Sequence, residues 1–192
     1  NRLTQMDGII GGTPNTQTIA YDVYGNITSK TGVGDYYYGG SPNCAAGNNA
    51  GPHAVCKAGN NAYAYDLNGN LVSGGGRIVG WTAWNMPGGL IQGGQNTTWL
   101  YGPEHERYKM TAPGRTTWYL NPGIHQGGHY EYTQYAGGTY ESRTTLYGAG
   151  HPIGEVLSVI DGDTSTEQTR YFHSDAQGSI TAVTDQSGQV LT

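Results

Sequence analysis

Long hydrophobic runs are missing from this 192-residue chain. The longest apolar stretches, such as Val156-Leu157-Ser158-Val159-Ile160, are strand-sized and far short of the roughly 18–20 residues of a membrane span. Basic charge is scarce too. Nine Lys and Arg stand against fourteen Asp and Glu, so there is no cationic stripe to neutralise phosphates, and a nucleic-acid partner is excluded. Leu, Ile, Val and Phe supply only 29 residues, a shortage that means disorder when net charge is high. Here the net charge is only −5, and 16 Tyr and 4 Trp add rings that pack while their polar ends stay wet. The expected core is aromatic, flat and half-exposed. No basic flank followed by an apolar segment marks a secretion signal, and the chain starts at Asn1, so it reads as a piece of something longer.

Helical periodicity is almost absent as well. Glycine occupies 33 positions and proline 8, and few stretches of ten residues lack both. The one tolerable helix candidate, Glu104 to Met110, is flanked by Gly102-Pro103 and Ala112-Pro113-Gly114 and reads as turn plus strand. What remains is short strand, turn, short strand. Thr97 to Tyr101 and Thr116 to Leu120 are β-branched and aromatic runs of strand length. His129 to Tyr135, Ala136-Gly137-Gly138 and Thr139 to Glu141 read as a hairpin. Alternation there sends Tyr130, Tyr132 and Gln134 to one face and His129, Glu131, Thr133 and Tyr135 to the other. A second hairpin runs from Glu155 to Ile160 through Asp161-Gly162 to Thr166–Phe172. The fold class expected is all-β, built of antiparallel hairpins.

A repeat is visible. Tyr21-Asp22-Val23-Tyr24-Gly25-Asn26-Ile27 recurs as Tyr65-Asp66-Leu67-Asn68-Gly69-Asn70-Leu71. The Tyr ends a strand, the Asp caps a turn by accepting backbone amides, the Gly takes a positive φ, and the Asn-aliphatic pair starts the returning strand. Weaker echoes are 81–87, 172–180 and 184–190.

These residues resemble the Rhs, or YD-repeat, family, whose repeat signature is Tyr-Asp-x-x-Gly-Asn. The run from Tyr171 through His173, Asp175 and Gly178 to Asp185 is similar to the start of the Rhs-associated core. Gly51 to Val55, Gly80 to Pro87 and Tyr101 to Tyr108 also fit, so the resemblance covers nearly the whole chain. It implies YD/Rhs hairpin repeats over residues 1–170 and the beginning of the core hairpin over 171–192, in one spiralling sheet. It further implies a section of a secreted or surface bacterial shell around a C-terminal toxin that lies outside this chain, with the toxin and the rest of the shell as partners. Family shells are several times longer, and the Asp-Pro-x-Gly-Leu-type segment for self-cleavage is not in this sequence. The role expected is structural, with no catalytic residue and no cofactor.

Other chemistry reads weakly. Cys44 and Cys56 either bridge and staple a loop rich in Gly, Asn, Pro and Ala, or are two unrelated thiols; their Cα separation decides. With His53 they do not make four zinc ligands. His125-Gln126-Gly127-Gly128-His129 would bind metal only from a helix, which two glycines oppose. Glu104-His105-Glu106-Arg107 reads as a solvated tip, Asp161-Gly162-Asp163 as a turn rather than a calcium loop, and His173-Ser174-Asp175 as neighbours in sequence only. The alternative function is an adhesive or glycan-binding module using Trp81, Trp84, Trp99 and Trp118, and unpaired sheet edges would then drive self-association into oligomers or fibres.

Overall fold

A computed structural model describes residues 2–10, 12–120 and 129–191. It is all-β: among the described residues there is no helix. The chain forms two compact units, residues 1–94 and 95–192. The first holds β1 (Gln5–Ile10), β2 (Thr13–Tyr21), β3 (Ile27–Lys30), β4 (Gly34–Tyr38), β5 (Val55–Ala58), β6 (Asn61–Tyr65), β7 (Leu71–Gly74), β8 (Arg77–Trp81) and β9 (Pro87–Gln92). The second holds β10 (Gln95–Tyr101), β11 (Arg107–Ala112), β12 (Arg115–Leu120), β13 (Tyr130–Tyr135), β14 (Tyr140–Gly148), β15 (His151–Asp161), β16 (Thr164–Ser174), β17 (Ile180–Asp185) and β18 (Val190–Leu191). Strand β16 runs unbroken through 170/171.

Within each unit every strand pairs antiparallel with the next, in chain order. Among the described residues the strands of each unit touch only those neighbours, so each sheet is one layer thick. The scarcity of aliphatic residues explains this, because two packed layers need two inner apolar faces. The side chains that become buried are few: Cys56, Ala58, Thr117, Tyr119, Thr133 and Leu157 among the described residues. Thr117 and Thr133 face each other across β12 and β13 with their hydroxyls 2.9 Å apart, which satisfies both in place of an apolar contact.

Turn chemistry sets the meander. Among the described residues one turn occurs seven times, starting at Asp22, Asp66, Thr82, Gly102, Tyr135, Asp175 and Asp185. In each, the first residue's N–H bonds the carbonyl four residues on, and the fourth residue's N–H bonds back to the first residue's carbonyl. The fourth residue is always left-handed: Gly25 (φ 99°), Gly69 (85°), Asn85 (62°), His105 (63°), Gly138 (89°), Gly178 (85°) and Gly188 (83°). This is a turn followed by a bulge, and the register shifts beside it at Tyr21, Tyr65, Trp81, Tyr101 and Ser174.

Candidate functional site

In unit 1 the antiparallel meander brings the turns after β2, β6 and β8 and the loop after β4 to one edge. An aromatic residue closes each even strand there and donates back to the preceding strand. The Tyr38 hydroxyl bonds the Ile27 carbonyl at 2.8 Å, Tyr65 bonds Val55 at 2.8 Å, and the Trp81 indole N–H bonds Leu71 at 2.9 Å. Each acceptor is the first residue of β3, β5 or β7. The Tyr21 hydroxyl donates likewise to the Leu3 carbonyl at 3.0 Å. Burial pushes the phenols of Tyr38 and Tyr65 up.

The Tyr-Asp-x-x-Gly-Asn element therefore has a physical meaning. Its ring clasps the preceding strand, and its carboxylate organises the turn. Asp22 Oδ1 accepts the N–H groups of Tyr24, Gly25 and Asn26, while Asn26 Nδ2 donates to Oδ2 at 3.0 Å. Asp66 accepts from the N–H groups of Asn68 and Asn70 and from Asn70 Nδ2. Asp175 accepts from Gln177 and Ser179, and Asp185 from Ser187 and Gln189. At Asp66 the Asn70 side-chain bond, and at Asp185 the Ser187 hydroxyl, hold the carboxyl below its usual range. At Asp22 burial opposes the shift, but the combined bonds from Asn26, Gly25 and Tyr24 lower it.

These depressed values have a sign. The charged form is favoured in the fold, so the unfolded chain binds more protons near the ordinary aspartate pKa of about 3.9, and stability is lost as pH falls through the folded values. The melting temperature is expected to hold above about pH 5 and to fall increasingly below about pH 4. Thermal melts of Asp66→Asn and Asp185→Asn across pH 2–6 check this: each replacement should flatten the slope, and slopes identical to the parent would disprove the assignment.

The Cys44–Cys56 disulfide closes the long loop on this edge, with Cα atoms 5.4 Å apart. The loop reaches both neighbouring turns. His53 Nδ1 lies 2.8 Å from Asn26 Oδ1, Asn49 Nδ2 donates to the Tyr65 carbonyl, and the Tyr65 N–H donates to the Asn48 carbonyl. Asn70 Nδ2 then donates to Asn85 Oδ1 at 2.8 Å, so a row of carboxamides continues along the edge.

Unit 2 carries two dissimilar faces. On one, Trp118 stands opposite Tyr132, ring centroids 5.7 Å apart, Tyr132 stacks on Tyr140 at 5.8 Å, and Lys109 Nζ lies 5.5 Å from the Trp118 ring. The other face is charged. Arg143 Nε bonds Glu141 at 2.7 Å, and Glu155 lies between Arg143 (3.8 Å) and Arg170 (3.0 Å). The hydrogen bond from Arg143 to Glu141, with the fields of Glu155 and Glu131, raises the guanidinium further despite partial burial. His129 Nδ1 is 3.7 Å from Glu131, and Arg107 covers the Tyr119 ring at 4.4 Å. Arg143 holds Glu141 and shares Glu155 with Arg170 across β14, β15 and β16, and among the described residues no group of three or more His, Cys, Asp or Glu is placed to hold a metal ion.

The segment His125 to Gly128 lies outside the described residues. His173 Nε2 sits 2.9 Å from the Thr184 hydroxyl while Asp175 is occupied by its own turn, so His173, Ser174 and Asp175 are not assembled as a relay. The four tryptophans have different settings within their units. Trp81 is a clasp, Trp84 is a 46 % exposed turn tip, Trp99 is half-buried with its indole N–H unpartnered, and Trp118 belongs to the aromatic ladder. The sequence places a hairpin turn at Ala136-Gly137-Gly138 but does not show it as a copy of the repeated turn, because Tyr135 replaces Asp as its first residue. No helix among the described residues is long and apolar enough to cross a membrane. No protein-family model matches the chain, and no curated protein matches it.

Proposed function

We propose that this chain is a section of a hairpin-repeat wall of the Rhs, or YD-repeat, kind, which encloses and helps deliver a toxin domain belonging to the same polypeptide. The observation that carries the reading is the clasp and turn at Tyr21-Asp22 and Tyr65-Asp66. There the signature residues form one mechanical joint, ring to preceding strand and carboxylate to following turn, that any number of hairpins can extend. A sheet one layer thick, with an aromatic face and a charged face in unit 2, suits a wall with two different environments. The Cys44–Cys56 bridge agrees with a secreted or surface location on a bacterium. The role is structural, and no residue is assigned to catalysis or to a cofactor.

The test uses the natural polypeptide that contains these 192 residues. Digestion with a nonspecific protease under native conditions should leave a companion domain intact until denaturant opens the repeats. A companion domain cut as fast as its free form, or a natural product made of repeats alone, would overturn the reading.

A further inference from the structure

We infer that the Cys44–Cys56 bridge is a redox-controlled brace, opened by small thiol reductants, that regulates the wall proposed above; the regulatory role rests on that reading. Segment 39–54 joins β4 to β5, and those two strands already pair through Tyr38 and Val55. The sheet would be continuous with a far shorter loop. What the segment adds is a tie between turns on either side of it. His53 Nδ1 lies 2.8 Å from Asn26 Oδ1 in the turn after β2, while Asn49 Nδ2 donates to the Tyr65 carbonyl and the Tyr65 N–H donates to the Asn48 carbonyl, just before the turn after β6. Where strands touch only their neighbours, stability is a sum of local terms and hairpins open one at a time. A tie reaching from the start of β3 to the end of β6 couples them, and the bridge keeps the tie closed.

The pair is placed for both oxidation states. Cys44 is half-buried between exposed Asn43 and Ala45, whereas Cys56 is 1 % exposed, so a thiolate arriving from solvent meets the Cys44 sulfur. That attack forms a mixed disulfide on Cys44 and displaces Cys56 as its thiolate. A second reductant thiolate then attacks the reductant's sulfur in the mixed disulfide and frees Cys44. Two electrons pass to the protein pair, the two protons of the reductant thiols end on the cysteines, and the reductant leaves as its own disulfide. Acceptors for both new S–H groups are already present: Cys44 Sγ is 3.0 Å from the Tyr38 carbonyl oxygen, and Cys56 Sγ is 3.3 Å from that of Tyr37. The reduced cysteines therefore keep partners on β4, which holds them close enough to join again. The loop, rich in Gly, Asn, Ala and Pro, is then left to its hydrogen bonds, and its chain entropy favours opening. Oxidising surroundings outside a cell close such a bridge and a reducing cell interior opens it, so the wall is braced outside and loosened inside.

The test again uses the natural polypeptide that contains these residues. It is held under native conditions with or without excess dithiothreitol, alkylated, and digested with a nonspecific protease while mass spectrometry follows each cut; the Cys44→Ser/Cys56→Ser double variant is treated in parallel. Both cysteines are expected to become alkylated without denaturant. Cutting within 39–54 should then rise by about tenfold or more, and the companion domain should lose protection with it. Replacing the reductant by oxidised glutathione before alkylation should restore the slow rate, and the double variant should be cut fast with or without reductant. A bridge that stays unreduced until denaturant is added, a reduced bridge with unchanged cutting at 39–54 or an unchanged companion, or a reductant effect as large in the double variant as in the parent overturns the inference. A companion domain unprotected even in the oxidised polypeptide overturns the wall reading and the regulatory role with it, and is told apart because cutting at 39–54 still follows the bridge.

Discussion

Replacing Cys44 and Cys56 together by serine is expected to destabilise residues 1–94 by about 3 kcal/mol, the loop-closure value for a separation of 12. The loop is mostly Gly, Asn, Ala and Pro, held, apart from the bridge, by hydrogen bonds rather than by apolar packing, and Cys56 is 1 % exposed in a sheet with few other buried side chains. Two serine hydroxyls restore neither the constraint nor the apolar contact. For a unit of this size the loss corresponds to roughly 10–20 °C in melting temperature. Hydrogen exchange should place the loss at Tyr38, Tyr65 and Asn26, where the loop docks, and leave residues 95–191 as protected as before. A shift under 2 °C would show that the bridge does not constrain this unit.

Gly154→Ala is expected to cost about 2–4 kcal/mol in unit 2, although it adds a single methyl group. Gly154 is buried on β15 opposite Tyr171, and a Cβ there would collide with the Arg170 carbonyl oxygen on β16. That obstacle is backbone in a hydrogen-bonded ladder, so relief requires the strands to part. Glu155, next along β15, would then lose its grip on Arg170, leaving the guanidinium with less compensation. Gly137→Ala is the matched control, because nothing lies within 4 Å of its Cβ position, and its change should stay within about 0.5 kcal/mol. Chemical denaturation of both variants checks this, and equal midpoints would disprove the close approach.

The two glycines show where legibility stops. Both are bare G in the sequence, and only the pairing of β15 with β16 makes one of them irreplaceable. Local chemistry was readable. Tyr-Asp-x-x-Gly-Asn specifies its turn because Asp reaches amides two to four residues on and Gly tolerates φ of 85–99°, interactions contained within six residues. Alternation from His129 to Tyr135 placed Tyr132 and Glu131 on opposite faces because side-chain direction in a strand has period two. What the residues share across strands was not readable. The clasp from Tyr65 to Val55, the carboxamide line from Asn70 to Asn85 and the Glu155 link to Arg143 and Arg170 join positions 10 to 15 residues apart. Strand pairing sets them: Glu155 stands directly opposite Arg170 in an unshifted ladder, and bulges at Tyr65 and Trp81 precede the turns that carry Asn70 and Asn85. The all-β class and the repeated turn were thus determined by the sequence itself, since they rest on composition and on bonds within single turns. The single-layer pairing, the joined cysteines and the edge where Asn70 meets Asn85 were decided by tertiary structure, since each depends on strand register that no local segment encodes.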